Sequence, residues 1–210
     1  MNRKNLPGGE EGKQLPLVEQ FYTLQGEGYH TGKAAYFIRI GGCDIGCRWC
    51  DSKVSWNPDI HSLVSVDNIL ESVLKTPARS VVVTGGEPSL YNLNPLCDLL
   101  KKNNIETFIE TSGAYELTGT WDWICLSPKT NVHPKGDIYK RADELKVIIY
   151  EDGDFEWAEA CAEMVADKCL LYLQPEWSRF SVNIDKIVGY VMNNPKWMVS
   201  LQSHKFMKIP

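Results

Sequence analysis

Short apolar, β-branched runs alternate along this chain with stretches whose apolar positions recur every three to four residues. Residues 15–22 and 34–40 read as strands. Residues 66–74 carry apolar side chains at 66, 69, 70, 73 and 74, a helical spacing, and Pro77 lies beyond their end. Ser80-Val81-Val82-Val83-Thr84 suits a buried parallel strand. The rhythm continues with a helix over 93–102, strands over 105–110, 123–126 and 144–150, and a helix over 155–165. A strand over 169–173, a helix over 181–192 and a strand over 197–201 follow, ahead of the tail from His204 to Pro210. Residues 52–65 are rich in Asp, Ser, Asn and Pro and show little periodicity. Alternating strands and helices imply parallel βαβ units and a sheet with covered faces. About seven strands and about four helices fall short of the eight βα units of a full barrel. The expected fold is α/β: an open, partial TIM-like barrel with a parallel sheet.

Composition narrows the class. At 210 residues and 43% hydrophobic, the chain suits one domain with a sizeable core, expected over residues 15–210. Residues 1–14 are polar, contain Pro7, Gly8 and Gly9, and read as a flexible leader without the apolar core of a signal peptide. A net charge of −5 argues against a nucleic-acid surface, and no apolar run approaches the roughly 18 residues of a membrane helix. Seven cysteines, an odd number, fit a reducing compartment, so the expected location is cytoplasmic.

The chemistry gathers around Gly41-Gly42-Cys43-Asp44-Ile45-Gly46-Cys47-Arg48-Trp49-Cys50-Asp51. Three thiols at spacing C-x3-C-x2-C can face a common point after one sharp turn. Thiolates are soft ligands that select zinc, copper(I) or iron–sulfur clusters. A closed zinc site wants four protein ligands, and the local run stops at three, so zinc needs a distant fourth ligand, with His61 or another cysteine as candidate. A four-iron cluster on three cysteines leaves one iron open to a small molecule. The stretch resembles the cluster loop of the radical S-adenosylmethionine (SAM) enzymes, with Trp49 as the aromatic before the last cysteine.

Parallel α/β folds bind ligands at the C-terminal ends of their strands. The unusual residues of this chain fall there repeatedly: Thr84-Gly85-Gly86-Glu87-Pro88, Glu110-Thr111-Ser112-Gly113, Ser127-Pro128-Lys129 and Gln174-Pro175. Gly85-Gly86 lets backbone approach a ligand closely. Alone, Gly-Gly-Glu-Pro is a weak signal; in order after the cysteine motif it strengthens the resemblance to radical SAM enzymes. A narrower resemblance, to the 7-carboxy-7-deazaguanine synthase family, rests on Glu19-Gln20-Phe21-Tyr22-Thr23-Leu24-Gln25-Gly26-Glu27-Gly28, on Cys50-Asp51-Ser52, on the strand-end motifs, and on the C-terminal proline.

That resemblance implies a ring contraction of 6-carboxy-5,6,7,8-tetrahydropterin to 7-carboxy-7-deazaguanine with release of ammonia, on the route to queuosine and related 7-deazapurines. It implies that Cys43, Cys47 and Cys50 hold a 4Fe–4S cluster, and that Trp49, Cys50, Asp51, Gly86, Ser112, Ser127, Pro128, Lys129, Gln174 and Pro175 line SAM. It places Leu24, Gln25, Gly26, Arg39, Thr84 and the Pro210 carboxylate at the pterin. The family's Mg2+ is bound by a threonine hydroxyl, and Ser52 stands at that position here, keeping the hydroxyl without the methyl. No side chain is expected to act as a general base in the first step, because the radical belongs to the cofactor. A flavodoxin or ferredoxin is the expected electron donor, and a homodimer the expected assembly.

Other residues carry plainer expectations. Arg39 is either an edge-strand charge facing solvent or a guanidinium aimed at a carboxylate. Cys97, Cys125, Cys161 and Cys169 read as buried structural thiols. His30, His61, His133 and His204 read as surface or loop residues, and Glu87 as a residue that orders its loop. Two rivals remain: an activase that places a glycyl radical on a partner protein, and a non-catalytic zinc-binding module using His61.

Overall fold

The computed structural model describes Gly8 and residues 11–210. Most of the expected leader lies outside those residues, and Gln14 already opens the first strand. The described residues form nine strands: β1 (Gln14–Leu24), β2 (Ala34–Ile40), β3 (Ser62–Ser65), β4 (Ser80–Gly85), β5 (Glu106–Thr111), β6 (Trp123–Leu126), β7 (Glu144–Ile149), β8 (Leu170–Pro175) and β9 (Trp197–Val199). Six helices accompany them: α1 (Val66–Leu74), α2 (Asn94–Lys102), α3 (Ile138–Arg141), α4 (Gly153–Ala162), α5 (Phe180–Asn193) and α6 (Ser203–Met207). The strands make one sheet in the order β3-β1-β2-β4-β5-β6-β7-β8-β9. From β2 to β9 every pairing is parallel, whereas β1 runs antiparallel to both β2 and β3. The sheet ends at β3 and β9 without closing, as expected for a partial barrel.

Three short elements escape a periodicity reading. β3 forms because residues 62–65 find antiparallel partners in residues 14–17, a long-range pairing with no local signal. α3 and α6 span four and five residues, too few for a 3.6-residue period to repeat. The rest of 52–65 folds into two 3-10 turns, Lys53–Ser55 and Pro58–Ile60. α1 is capped as its sequence suggests, since the Ser65 hydroxyl accepts from the Asn68 N–H at 3.2 Å.

The period of two along each strand divides two environments. Ile38, Ile40, Val81, Val83, Ile109, Leu145, Val147 and Leu173 join the main core, against which α1, α2, α4 and α5 also pack their buried residues. Their neighbours Phe37, Arg39, Thr84, Glu110, Lys146, Ile148 and Gln174 line a cavity on the other face. The pleat thus places alternate side chains on the cavity face, and Arg39, Thr84, Glu110, Lys146 and Gln174 are polar residues of that face. β2 is no edge strand: it lies between β1 and β4. The edge-strand reading of Arg39 is therefore set aside.

Candidate active site

Two backbone clamps hold the cysteine loop. On one side the Gly42 N–H donates to the Ser55 carbonyl at 2.7 Å and the Cys43 N–H to the Trp56 carbonyl at 3.0 Å. On the other, the Glu87 N–H donates to the Gly42 carbonyl at 2.8 Å and the Gly86 N–H to the Ile40 carbonyl at 3.0 Å. A Cβ on Gly86 would lie 2.3 Å from the Gly42 carbonyl oxygen, so only glycine permits this approach of backbone to backbone. Glu87, buried, accepts from the Ser89 N–H and hydroxyl, the Thr111 hydroxyl, and the Ser112 N–H and hydroxyl. The loop-ordering role expected of it matches this geometry: one carboxylate ties the ends of β4 and β5 together.

Cys43, Cys47 and Cys50 all face a cavity of about 280 Å³, and none forms a disulfide. Burial pushes the Cys43 thiol up to about 11 and the Cys47 thiol upward as well, so loading a metal here releases protons. The donor set fits a multi-iron cluster, in which each thiolate takes its own iron. Among the described residues no three His, Cys, Asp or Glu side chains converge as a single ion requires. His61 lies outside the cavity wall, with Nε2 at 2.9 Å from the Val54 carbonyl. It is not placed to complete a zinc site.

The cavity floor is charged. Lys146, 3% exposed, donates to Glu27 at 2.6 Å and to Glu110 at 2.9 Å. Burial alone would lower its pKa, but the surrounding negative groups hold it well above its ordinary value. Burial would likewise raise Glu27, yet the charge of Lys146 and hydrogen bonds from Lys146, Gln202 and Gln174 hold its carboxyl at about 2. Gln25 donates to the second oxygen of Glu110 at 3.1 Å. Arg39 pairs through Nε with Glu19, its cross-strand neighbour, at 2.6 Å, and lines the cavity as well. Nearer the cysteines, Lys129 donates to the Ser127 hydroxyl at 2.7 Å and lies over the Trp49 ring; burial lowers its pKa.

The C-terminal segment closes one side. Ser203 donates through both N–H and hydroxyl to the Gly26 carbonyl, at 2.8 and 2.9 Å, and Gln202 donates to Glu27 at 2.8 Å. His204 packs so closely that a Cβ on Gly26 would lie 2.1 Å from its Nδ1. Phe206 packs on Trp177 and Phe180, and Lys205 lies over the Trp177 ring. Pro210, the last residue, thereby reaches the cavity wall.

The radical SAM superfamily model matches residues 37–164. A 7-carboxy-7-deazaguanine synthase from Flavobacterium psychrophilum is 56% identical, covering 96% of this chain and 95% of its own. One from Synechocystis is 45% identical over 92% of this chain and 93% of its own. The crystal structure of QueE from Escherichia coli superposes with a TM-score of 0.82 at 33% identity, covering 93% of this chain and 96% of that one. The chain belongs to the 7-carboxy-7-deazaguanine synthase family of the radical SAM superfamily. As a radical SAM enzyme of this family it uses a 4Fe–4S cluster and SAM.

Against that identity, the residues expected at the site fall mostly together. Leu24, Gln25, Gly26, Arg39, Thr84 and Pro210 share the cavity wall with Trp49, Asp51, Gly86, Ser112, Ser127, Lys129, Gln174 and Pro175. Two expected residues stand apart. Pro128 is buried outside the wall, between Ser127 and Lys129. Ser52 is half-buried beside Asp51, its carbonyl accepting the Ser55 N–H and hydroxyl, and does not line the cavity. The wall also holds residues to which the sequence reading gave no site role: Glu27, Trp56, Lys146, Gln202 and His204. Lys146 carries the same signal as Arg39, a cation within the apolar run Leu145 to Ile149, and could have been found by it. His30 lies in the loop between β1 and β2, as the loop reading has it, and stacks on Phe108 with ring centroids 4.4 Å apart, whereas His204 lies in α6 and lines the cavity. Cys97, Cys125, Cys161 and Cys169 are buried free thiols, as expected.

Proposed function

We propose that this chain contracts the ring of 6-carboxy-5,6,7,8-tetrahydropterin to 7-carboxy-7-deazaguanine, releasing ammonia, in queuosine and 7-deazapurine biosynthesis. One observation carries the reading: a single cavity gathers the three thiols, the strand-end motifs and the C-terminal Pro210. Bound together, the cluster and SAM supply a one-electron route to hydrogen abstraction. Cys43, Cys47 and Cys50 hold the cluster. Gly86, Ser112, Ser127, Lys129, Gln174 and Pro175 receive SAM beside Trp49, Cys50 and Asp51, with Pro128 fixing the turn between Ser127 and Lys129.

Leu24, Gln25, Gly26, Arg39 and Thr84 receive the pterin, and the Pro210 carboxylate faces it. The inner-face side chains position the substrate and exclude water rather than move a proton. Arg39 answers a substrate carboxylate while Glu19 steadies its guanidinium. Ser52 would hold Mg2+ through its hydroxyl, an oxygen ligand of the required kind. A small one-electron carrier of the flavodoxin or ferredoxin type delivers electrons, the protein assembles as a homodimer, and residues 15–210 act as one domain. The unpaired thiols support a reducing, cytoplasmic setting. Among the described residues no helix is long and apolar enough to cross a membrane.

The test is anaerobic turnover of reconstituted protein with 6-carboxytetrahydropterin, SAM, Mg2+ and a strong reductant, followed by mass spectrometry. Product of the mass of 7-carboxy-7-deazaguanine, absent without SAM, is expected. Cleavage of SAM with the pterin intact would overturn the substrate assignment and leave the radical chemistry standing.

A further inference from the structure

Trp56 touches both ends of the cysteine loop. Its carbonyl accepts the Cys43 N–H at 3.0 Å, and its indole Nε1–H donates to the Cys50 sulfur at 3.3 Å. The preceding residue, Ser55, is fully buried, accepts the Gly42 N–H and is tied back to the Ser52 carbonyl. The indole is therefore held by a braced turn. The Cys50 sulfur thus takes its donor from a side chain fixed by the same turn that clamps the cysteine loop.

We propose that the Trp56 indole N–H raises the reduction potential of the cluster by hydrogen-bonding to the sulfur of Cys50. This rests on the reading of Cys50 as a cluster ligand. Reduction adds one electron to the cluster, and its negative charge spreads onto the ligand sulfurs. A donor aimed at one sulfur stabilises the reduced state more than the oxidised state, and hydrogen bonds to the sulfurs are among the determinants of cluster potential. Trp56 is thus a positioning residue that acts through Cys50, and its loss makes the cluster harder for an electron carrier to reduce.

The decisive change removes the N–H and keeps the shape: tryptophan replaced at position 56 by its benzothiophene analogue, with Trp56→Phe alongside. Each reconstituted protein is assayed for iron and sulfide and titrated potentiometrically under electron paramagnetic resonance. The expected result is equal iron and sulfide with a more negative midpoint. At the wild-type midpoint the reduced-to-oxidised ratio falls by about tenfold, equivalent to ~59 mV for one electron. An unchanged or more positive midpoint in the benzothiophene protein overturns the proposal. Pulsed resonance on the reduced cluster with indole-15N tryptophan gives a second readout. A nitrogen coupling present in wild type and lost in the benzothiophene protein supports the bond, and no coupling in wild type overturns it. A wild-type protein that builds no reducible four-iron cluster overturns the family reading of Cys50, and the iron and sulfide assay separates that failure from the first.

Discussion

Lys146 Nζ lies 2.6 Å from Glu27 Oε2, and this one contact links the floor of the cavity to its C-terminal wall. Through Glu110 the same ammonium orders Gln25, and through Glu27 it orders Gln202, which leads into α6 and Pro210. A buried cation with two carboxylates fixes two separate segments of the cavity wall from one point.

Removing that cation leaves two half-buried carboxylates without their ionic partner. Lys146→Met is expected to destabilise the protein by about 3–5 kcal/mol, read from urea denaturation. The double variant Lys146→Met/Glu27→Gln should recover part of the loss, because the sites share one network. Equal stability of Lys146→Met and wild type would show that the network is not electrostatically coupled.

Glu27 makes stability depend on pH in one direction. Its carboxyl is held at about 2 in the fold against an ordinary 4.5. A depressed carboxylate contributes its full stabilisation, roughly 3 kcal/mol here, above the ordinary pKa and loses it as pH falls toward the folded value. Unfolding free energy of wild type should therefore decline more steeply than that of Glu27→Gln between pH 4.5 and 2. Parallel curves would mean that Glu27 is not held down in the native state.

Gly26 and His204 form a steric pair. In Gly26→Ala the new Cβ meets the imidazole at 2.1 Å, so α6 must shift and take Pro210 with it. A misplacement of this size is expected to cost on the order of a hundredfold in kcat/KM for the pterin, with SAM affinity measured by calorimetry little changed. Adding His204→Gly, which removes both the ring and the Cβ that would stand 2.8 Å away, should restore the docking of residues 203–210, read by hydrogen exchange, without restoring full turnover.

Ser52 tests the metal assignment. Ser52→Ala should raise the Mg2+ concentration for half-maximal turnover by about tenfold or more, while Ser52→Thr stays at or below wild type. An alanine variant with wild-type Mg2+ dependence would remove Ser52 from the metal site.

Much of the site could be read before the fold was known, because its chemistry lies in contiguous motifs: the cysteine loop, Gly85-Gly86-Glu87-Pro88, and Ser127-Pro128-Lys129. Short-range spacing survives in sequence. Of the residues that were missed, Glu27, Gln202 and His204 act through partners far along the chain, Gln202 meeting Glu27 across 175 positions, whereas Trp56 lies only six positions from Cys50 in a stretch without periodicity. Strand β3 was hidden for the same reason, being formed by pairing with β1, and the five-residue α6, too short to show a period, is held by Trp177, Phe180 and Gly26.

By itself, the sequence determined the alternation of strands and helices, the thiol spacing and the glycines at the strand ends, all local consequences of side-chain type. Tertiary structure decided which face of each strand looks into the cavity, that Arg39 and Lys146 line it, and that Pro210 reaches its wall. Those outcomes depend on sheet curvature and on burying charges against partners distant in sequence, free energies that exist only once the elements are packed together.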